Sequence, residues 1–210
     1  MAIIKFDSVS LQYGDKAVFS DLSFELEANS KVLLKGKSGS GKSSIFNLIM
    51  GFLPPNSGKL LYNDKQYFSI QEIRQHIAWI PQEINLFPEE TVYNGIFDLF
   101  DNKRMLSHKP TKSEIDSIAG ELLLEKRLLE GQFKLLSGGE KQRVGVLIAL
   151  LMNRDLTLAD EPTSALDPTI AEAVMSSLLK HTKTLLCISH SSDFDALFDN
   201  VIHLEEFCNA

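Results

Sequence analysis

Cysteine is nearly absent: Cys187 sits in the apolar run Leu185-Leu186-Cys187-Ile188 and Cys208 near the tail, and there are no others among 210 residues. Two positions so far apart give neither a metal-ligand spacing nor a disulfide framework, so two reduced thiols are expected. A membrane-crossing stretch is missing as well. The longest unbroken apolar run, Val144 to Met152, has nine residues including Gly145, whereas a spanning helix needs about 20. The N-terminus, Met1-Ala-Ile-Ile-Lys-Phe-Asp, lacks a basic segment followed by a long apolar core, so a secretory signal is not expected and a cytoplasmic location is. Positive charge is also in deficit. A net charge of −7 excludes a broad nucleic-acid footprint, which needs a clustered basic surface. Any phosphate bound here must be held by local geometry. Neither an internal repeat nor a low-complexity tract is visible.

What is present is alternation of apolar strands and amphipathic helices, the pattern of a single α/β domain with a partly parallel, helix-covered sheet. Strands are expected at Ala2 to Phe6, Ala17 to Leu26, Lys31 to Lys35, Lys59 to Tyr62, Ile77 to Ile80, Leu156 to Ala159 and Thr184 to Ser189. Helices are expected at Lys42 to Met50, Val92 to Phe100, Ser113 to Leu124, Gly139 to Met152 and Pro168 to Leu179. Residues 83–134, where acids outnumber bases, read as a mostly helical subdomain inserted between two parts of a core, 1–82 and 135–210.

The segment Gly36-Lys37-Ser38-Gly39-Ser40-Gly41-Lys42-Ser43 fits G-x-x-x-x-G-K-[ST] and lies between an apolar strand and a helix. Its glycines let successive backbone N–H groups point at one phosphate, and the following helix N-terminus adds partial positive charge. Lys42 then reaches the β- and γ-phosphates, Ser43 offers a hydroxyl oxygen to Mg²⁺, and Ser44 can donate to the α-phosphate. A dinucleotide fingerprint does not fit, because Gly39-x-Gly41 is not followed by a glycine at position 44.

Leu156-Thr157-Leu158-Ala159-Asp160-Glu161 is an apolar strand ending in two acids. In an α/β sheet that end is where ligands bind. Asp160 suits Mg²⁺ binding through its water shell; Glu161 suits polarising a water beside the γ-phosphate. A small phosphoryl-transfer kinase would share these features, and its phosphorylated acceptor would distinguish it.

The deciding segment is Leu136-Ser137-Gly138-Gly139-Glu140-Lys141-Gln142-Arg143. Ser137 and Glu140 form an S-x-x-E capping box, but that does not account for Gly138 and Gly139, which open a second anion-binding helix N-terminus. This segment resembles the signature of ABC ATPases. The resemblance covers essentially the whole chain and implies a P-loop fold of ABC type: a mixed sheet core, an antiparallel β subdomain and a helical subdomain. It implies an ATPase that needs ATP and Mg²⁺ and pairs head to tail with a second copy or a homologous subunit. Ser137, Gly138 and Gly139 of one copy then meet the γ-phosphate held by the other. It further implies that Tyr13 stacks on adenine and that Gln82 touches Mg²⁺ and the attacking water. Asp167, in Ser164-Ala165-Leu166-Asp167, belongs to a loop at the dimer interface; Asp167 before Pro168 also reads as a helix N-cap. His190 is implied to contact the γ-phosphate and to steady Glu161. Departures are minor: Thr157 and Ala159 soften the strand before Asp160, and Ser191-Ser192 follow His190 where an acid is frequent.

By the same resemblance the chain drives an integral membrane transporter subunit from the inner face of the cell membrane, without nucleic acid as a partner. Ile84, Leu86 and Phe87 are expected to receive a basic or apolar helix of that subunit. A soluble ABC ATPase of cofactor assembly is the alternative.

Overall fold

A computed structural model describes residues 2–63, 65–66, 70–101 and 109–206. Two sheets organise it. Strands β1 (Ala2–Tyr13), β2 (Lys16–Glu27), β4 (Ser57–Tyr62) and β5 (Lys65–Gln66) form an antiparallel sheet in the order β2-β1-β4-β5. Strands β3 (Lys31–Lys35), β6 (Ile77–Ile80), β7 (Leu156–Asp160), β8 (Thr184–Ile188) and β9 (Asn200–His203) form a parallel sheet in the order β6-β7-β8-β3-β9. The mixed character expected from sequence is thus divided between two sheets.

The first expected strand, Ala2 to Phe6, runs on to Tyr13. Its register shifts between Phe6 and Val9, where Ser8 has φ 51°, a bulge that interrupts the apolar alternation and hides the continuation. Helices α2 (Ile70–Gln75) and α5 (Lys126–Glu130) and strands β5 and β9 add to the expected elements: α2, α5 and β5 are too short to show a period, and β9 begins and ends on the polar Asn200 and His203.

The inner parallel strands β7 and β8, with the centre of β3, are buried without alternation because both faces are covered. Leu34, Leu158, Leu186 and Ile188 face a core shared with Phe6, Leu22, Leu26 and the helix α1 (Lys42–Ile49). Leu33, Ala159, Leu185 and Cys187 face the other side, against helices α6 (Gly138–Met152) and α7 (Pro168–His181). Along α6 every residue from Gln142 to Leu150 is buried, which is why that helix lacks a polar face. Cys187 is buried, and that burial pushes its thiol well above the usual range; Cys208 lies outside the described residues.

Between β6 and α6 come α3 (Val92–Asp101), α4 (Lys112–Glu121) and α5. Ile84 and Phe87, expected to meet a partner helix, are absorbed here. A Cβ on Gly145 of α6 would stand 2.5 Å from Ile84 Cδ1, and one on Gly95 of α3 would stand 2.2 Å from the Phe87 ring, which also meets Phe133 edge-on at 5.2 Å. Ile84 is buried, and Leu86 and Phe87 are partly buried against the same core. No helix among the described residues is long and apolar enough to cross a membrane.

Candidate nucleotide site

Parallel strands bring their C-terminal ends to one edge, and four of the five carry a residue singled out above. Strand β3 runs into the loop 36–43, β6 into Pro81-Gln82, β7 ends at Asp160-Glu161, and β8 leads through Ser189 to His190. They share a cavity of about 560 Å³ lined by Tyr13, Ser38, Gly39, Gly41, Lys42, Ser43, Ser44, Gln82, Asp160, Glu161 and His190, with Lys16, Ala17 and Val18 of β2 at one side.

The loop holds its own lysine. Lys42 is buried, and its Nζ donates to Gly36 O at 2.7 Å and to Lys37 O at 2.9 Å. An ammonium has three N–H donors, so one remains for a third acceptor. Gly41, the residue before α1, has φ 92°, a conformation that side chains disfavour, and a Cβ there would stand 2.4 Å from Val18 Cγ1. Glycine at this position therefore lets the helix N-terminus open directly behind the lysine.

Across the cavity Ser43 Oγ lies 3.4 Å from Asp160 Oδ2. Tyr13 is half exposed at the mouth, with its hydroxyl 3.4 Å from Ser44 Oγ. His190 Nε2 is 2.9 Å from Glu161 Oε1, the histidine side chain half exposed and the carboxylate largely covered. Glu161 occupies φ 50°, uncommon for a residue with a side chain, and is held there by its N–H to Ile188 O at 3.0 Å and by Ser164 N–H and Oγ donating to its carbonyl. Burial raises the Asp160 carboxyl above the usual carboxylate range, and Glu161 beside it adds to the rise. The Ser43 hydroxyl, Lys42 and His190 act in the opposite direction. Two adjacent carboxylates on an apolar strand gain from a further cation.

Ser43, Gln82 and Asp160 present oxygen donors, which suit Mg²⁺. Among the described residues no group of three or more His, Cys, Asp or Glu is placed to hold a metal ion.

Ser137, Gly138, Gly139 and Asp167 do not line this cavity. Ser137 caps α6: its Oγ accepts from Glu140 N at 3.3 Å while its own N–H donates to Glu140 Oε2 at 2.7 Å. Asp167 caps α7, accepting from Ile170 N at 3.1 Å. Both capping readings hold. The start of α6 also rests against the 164–167 loop, since a Cβ on Gly139 would stand 3.0 Å from Leu166 Cδ2. Of the remaining loop residues, Gly36 and Lys37 contribute carbonyls to Lys42, and Ser40 N donates to Lys37 O at 3.1 Å.

Sequence reasoning gave Arg143 and Glu205 no role. Arg143 is buried in α6 and donates to Gly139 O at 3.3 Å, Leu122 O at 3.2 Å and Leu123 O, so its guanidinium caps the C-terminal end of α4. Glu205 accepts from Lys37 N at 2.6 Å.

Comparison with known proteins gives the family of the chain. A family model described as ABC transporter matches residues 19–164. The chain is 33% identical over 97% of its length to the lactococcin-G-processing and transport ATP-binding protein LagD of Lactococcus lactis subsp. lactis, of which it spans only 30%. It is 36% identical over 84% of its length to the thiamine import ATP-binding protein ThiQ of Haemophilus ducreyi, again covering 84% of that protein. It superposes on the dimeric structure of MJ0796, a bacterial ABC transporter cassette, with a TM-score of 0.81 and 25% identity, covering 95% of this chain and 93% of that one. The family match over most of the chain and the identity to a relative of similar length give the family: the chain belongs to the ABC transporter family as an ATP-binding cassette.

Proposed function

We propose that this chain binds and hydrolyses ATP as one half of a head-to-tail pair, formed with a second copy or a homologous ATPase, and that it powers a separate integral membrane transporter subunit from the cytoplasmic face. The observation that carries this reading is the meeting of Lys42, the Ser43–Asp160 pair and the Glu161–His190 pair in one cavity at the carboxyl edge of the parallel sheet.

In this reading adenine lies against Tyr13, and the phosphates lie in the loop 36–43 with the remaining N–H of Lys42 on the β- and γ-oxygens. Ser44 donates to the α-phosphate. Mg²⁺ would be held by Ser43, Gln82 and Asp160 and would neutralise phosphate charge. Glu161 orients and polarises the attacking water, and His190 fixes that carboxylate while reaching for the γ-phosphate. The 2.9 Å contact between them supports that pairing. Ser137, Gly138 and Gly139 serve the γ-phosphate of the other copy, and Asp167 lies in the loop that crosses between copies. Two observations support this: the signature stands outside its own chain's cavity, and the related cassette MJ0796 has a dimeric structure.

Residues 83–134 act as the helical subdomain that passes nucleotide state to the membrane subunit. With Ile84 and Phe87 committed to the core, the apolar contact falls to the exposed Phe52, Ile70 and Trp79, of which Trp79 lies three residues before Gln82. The Arg74 guanidinium sits 4.1 Å over the Phe52 ring, so an amphipathic helix bearing an acidic residue fits this surface.

The test is Glu161→Gln. The variant keeps ATP binding, elutes as a dimer in gel filtration with Mg-ATP, and turns over at least about 100-fold more slowly, the cost of losing a group aimed at the reacting water. Turnover at the unmodified rate removes Glu161 from this role. A variant that remains monomeric with Mg-ATP at high concentration removes the paired site.

A further inference from the structure

The C-terminal segment reaches the phosphate loop from behind. Strand β9 lies parallel to β3 with His203 opposite Lys35, the last strand residue before the loop. The chain then enters a short 3₁₀ turn, Leu204–Glu206. Leu204 is fully buried under the loop, its Cβ 3.3 Å from where a Cβ on Gly36 would be. The next residue, Glu205, places Oε1 2.6 Å from the backbone nitrogen of Lys37.

Lys37 is the residue whose carbonyl sets the loop's inner geometry. It accepts both Ser40 N, at 3.1 Å, and Lys42 Nζ, at 2.9 Å. Its N–H points away from these contacts to the Glu205 carboxylate. One residue is thus gripped on the outside by Glu205 and on the inside orders the turn and the phosphate-seeking lysine. The same strap is tied a second time, because Lys35 Nζ donates to both Asp195 carboxylate oxygens at 2.8 and 2.7 Å.

We infer that Glu205 is a positioning residue for nucleotide: through the Lys37 N–H it holds the loop in the form that presents Lys42 to phosphate. The inference rests on the nucleotide reading of this site. A carboxylate accepting a backbone N–H is a charge-assisted bond, stronger than a neutral one and well suited to fixing a loop residue. The N–H of Glu205 itself, and next to it that of Lys37, hold the Glu205 carboxyl below the usual range, so the grip is present at neutral pH. Because Glu205 touches no reacting atom, its loss acts on ATP affinity and leaves the chemical step nearly intact.

The experiment compares Glu205→Ala, Glu205→Gln and Glu205→Leu in the full chain, measuring KM and kcat for Mg-ATP, ATP binding by titration, and thermal unfolding. Glutamine retains an oxygen that accepts from Lys37 N; alanine and leucine do not. The expected result is a KM and Kd about tenfold higher in Glu205→Ala, with kcat within about threefold, as for loss of one charge-assisted hydrogen bond. Glu205→Gln is expected to stay within about threefold of the native chain. Leucine keeps bulk over the loop and stands in for alanine if the smaller residue does not fold. Lys42→Ala is run beside them. Native affinity in Glu205→Ala, with affinity lost in Lys42→Ala, overturns the role of Glu205. So does an affinity loss that glutamine fails to restore, or a fall in kcat at constant KM. Unchanged nucleotide binding in Lys42→Ala overturns instead the site assignment on which the inference stands.

Discussion

Replacing Gly41 with alanine tests whether the phosphate loop is shaped by backbone conformation and close packing together. Two separate costs apply. At φ 92° the residue is in a region that an alanine adopts only at about 1–2 kcal/mol. In addition the new Cβ would lie 2.4 Å from Val18 Cγ1 and 3.2 Å from Phe19 Cδ1, so β2 or the loop must shift. Overpacking of this kind costs about 1–3 kcal/mol. Together they predict a loss of about 2–5 kcal/mol, read by urea unfolding without nucleotide as a lower midpoint at unchanged slope. The two parts separate in a double-mutant cycle. Val18→Ala removes the obstructing methyls, so the double variant recovers the packing part, about 1–2 kcal/mol of coupling, and keeps the backbone part. Unfolding midpoints that simply add, or a Gly41→Ala chain as stable as the native one, would refute this account of the loop.

Two further perturbations probe how the helices around the site are joined. Arg143→Met keeps apolar bulk in α6 but leaves the carbonyls of Leu122 and Leu123 without this donor, and a loss of about 1–3 kcal/mol in chemical unfolding is expected, since Leu122 is buried while Leu123 is partly open to water; an unchanged midpoint would mean that water replaces the guanidinium. Glu121 of α4 meets His181 Nε2 at 2.8 Å and Lys180 Nζ at 2.9 Å on α7, contacts that lower its carboxyl below the usual range. A lowered folded value means stability present above the ordinary carboxylate range and lost as pH falls through the folded value, so native and Glu121→Gln unfolding midpoints should differ by at most about 1 kcal/mol at pH 7 and converge in acid; a gap that widens in acid contradicts that sign.

Much of the site was legible because chemistry dictates its spacing. A phosphate cradle needs Lys42 and Ser43 directly after Gly41, and an acid pair at a strand end needs only the apolar run before it, so Gly36 to Ser43 and Asp160-Glu161 could be read from local order. Helix α6 was legible for the opposite reason: it is buried on all sides, and its length alone separates it from a strand. What could not be read depends on residues far apart. Glu205 and Lys37 are 168 positions apart, and nothing near either marks the contact. Arg143 looks like part of a charged signature until α4 is placed beside it. Ile84 and Phe87 look exposed in a polar segment, yet Gly145 and Gly95 leave room for them in the core. The bulge at Ser8 cut β1 short on paper because its left-handed residue breaks the period that strands are recognised by.

Helix α6 packs against both the 164–167 loop and the segment leaving β6. Near its first turn Gly139 rests on Leu166, in the loop that contains Asp167. One turn on, Gln142 is buried with Nε2 3.5 Å from Pro81 O, immediately before Gln82. Another turn on, Gly145 has no room for a Cβ beside Ile84. The helix is therefore in close contact with the segment 81–84 leaving β6, and close-packed contacts transmit displacement instead of absorbing it. Under the function proposed above, a shift of Gln82 toward nucleotide would move the 81–84 segment and, through Gln142 and Gly145, helix α6, whose first residues lie outside that cavity. In the two-fold pair proposed above, this contact would run in both directions, so each copy's occupancy would bias the position of the signature offered to the other. On that proposal cooperation between the two sites would require no separate relay beyond the packing of one buried helix against Pro81 and Ile84.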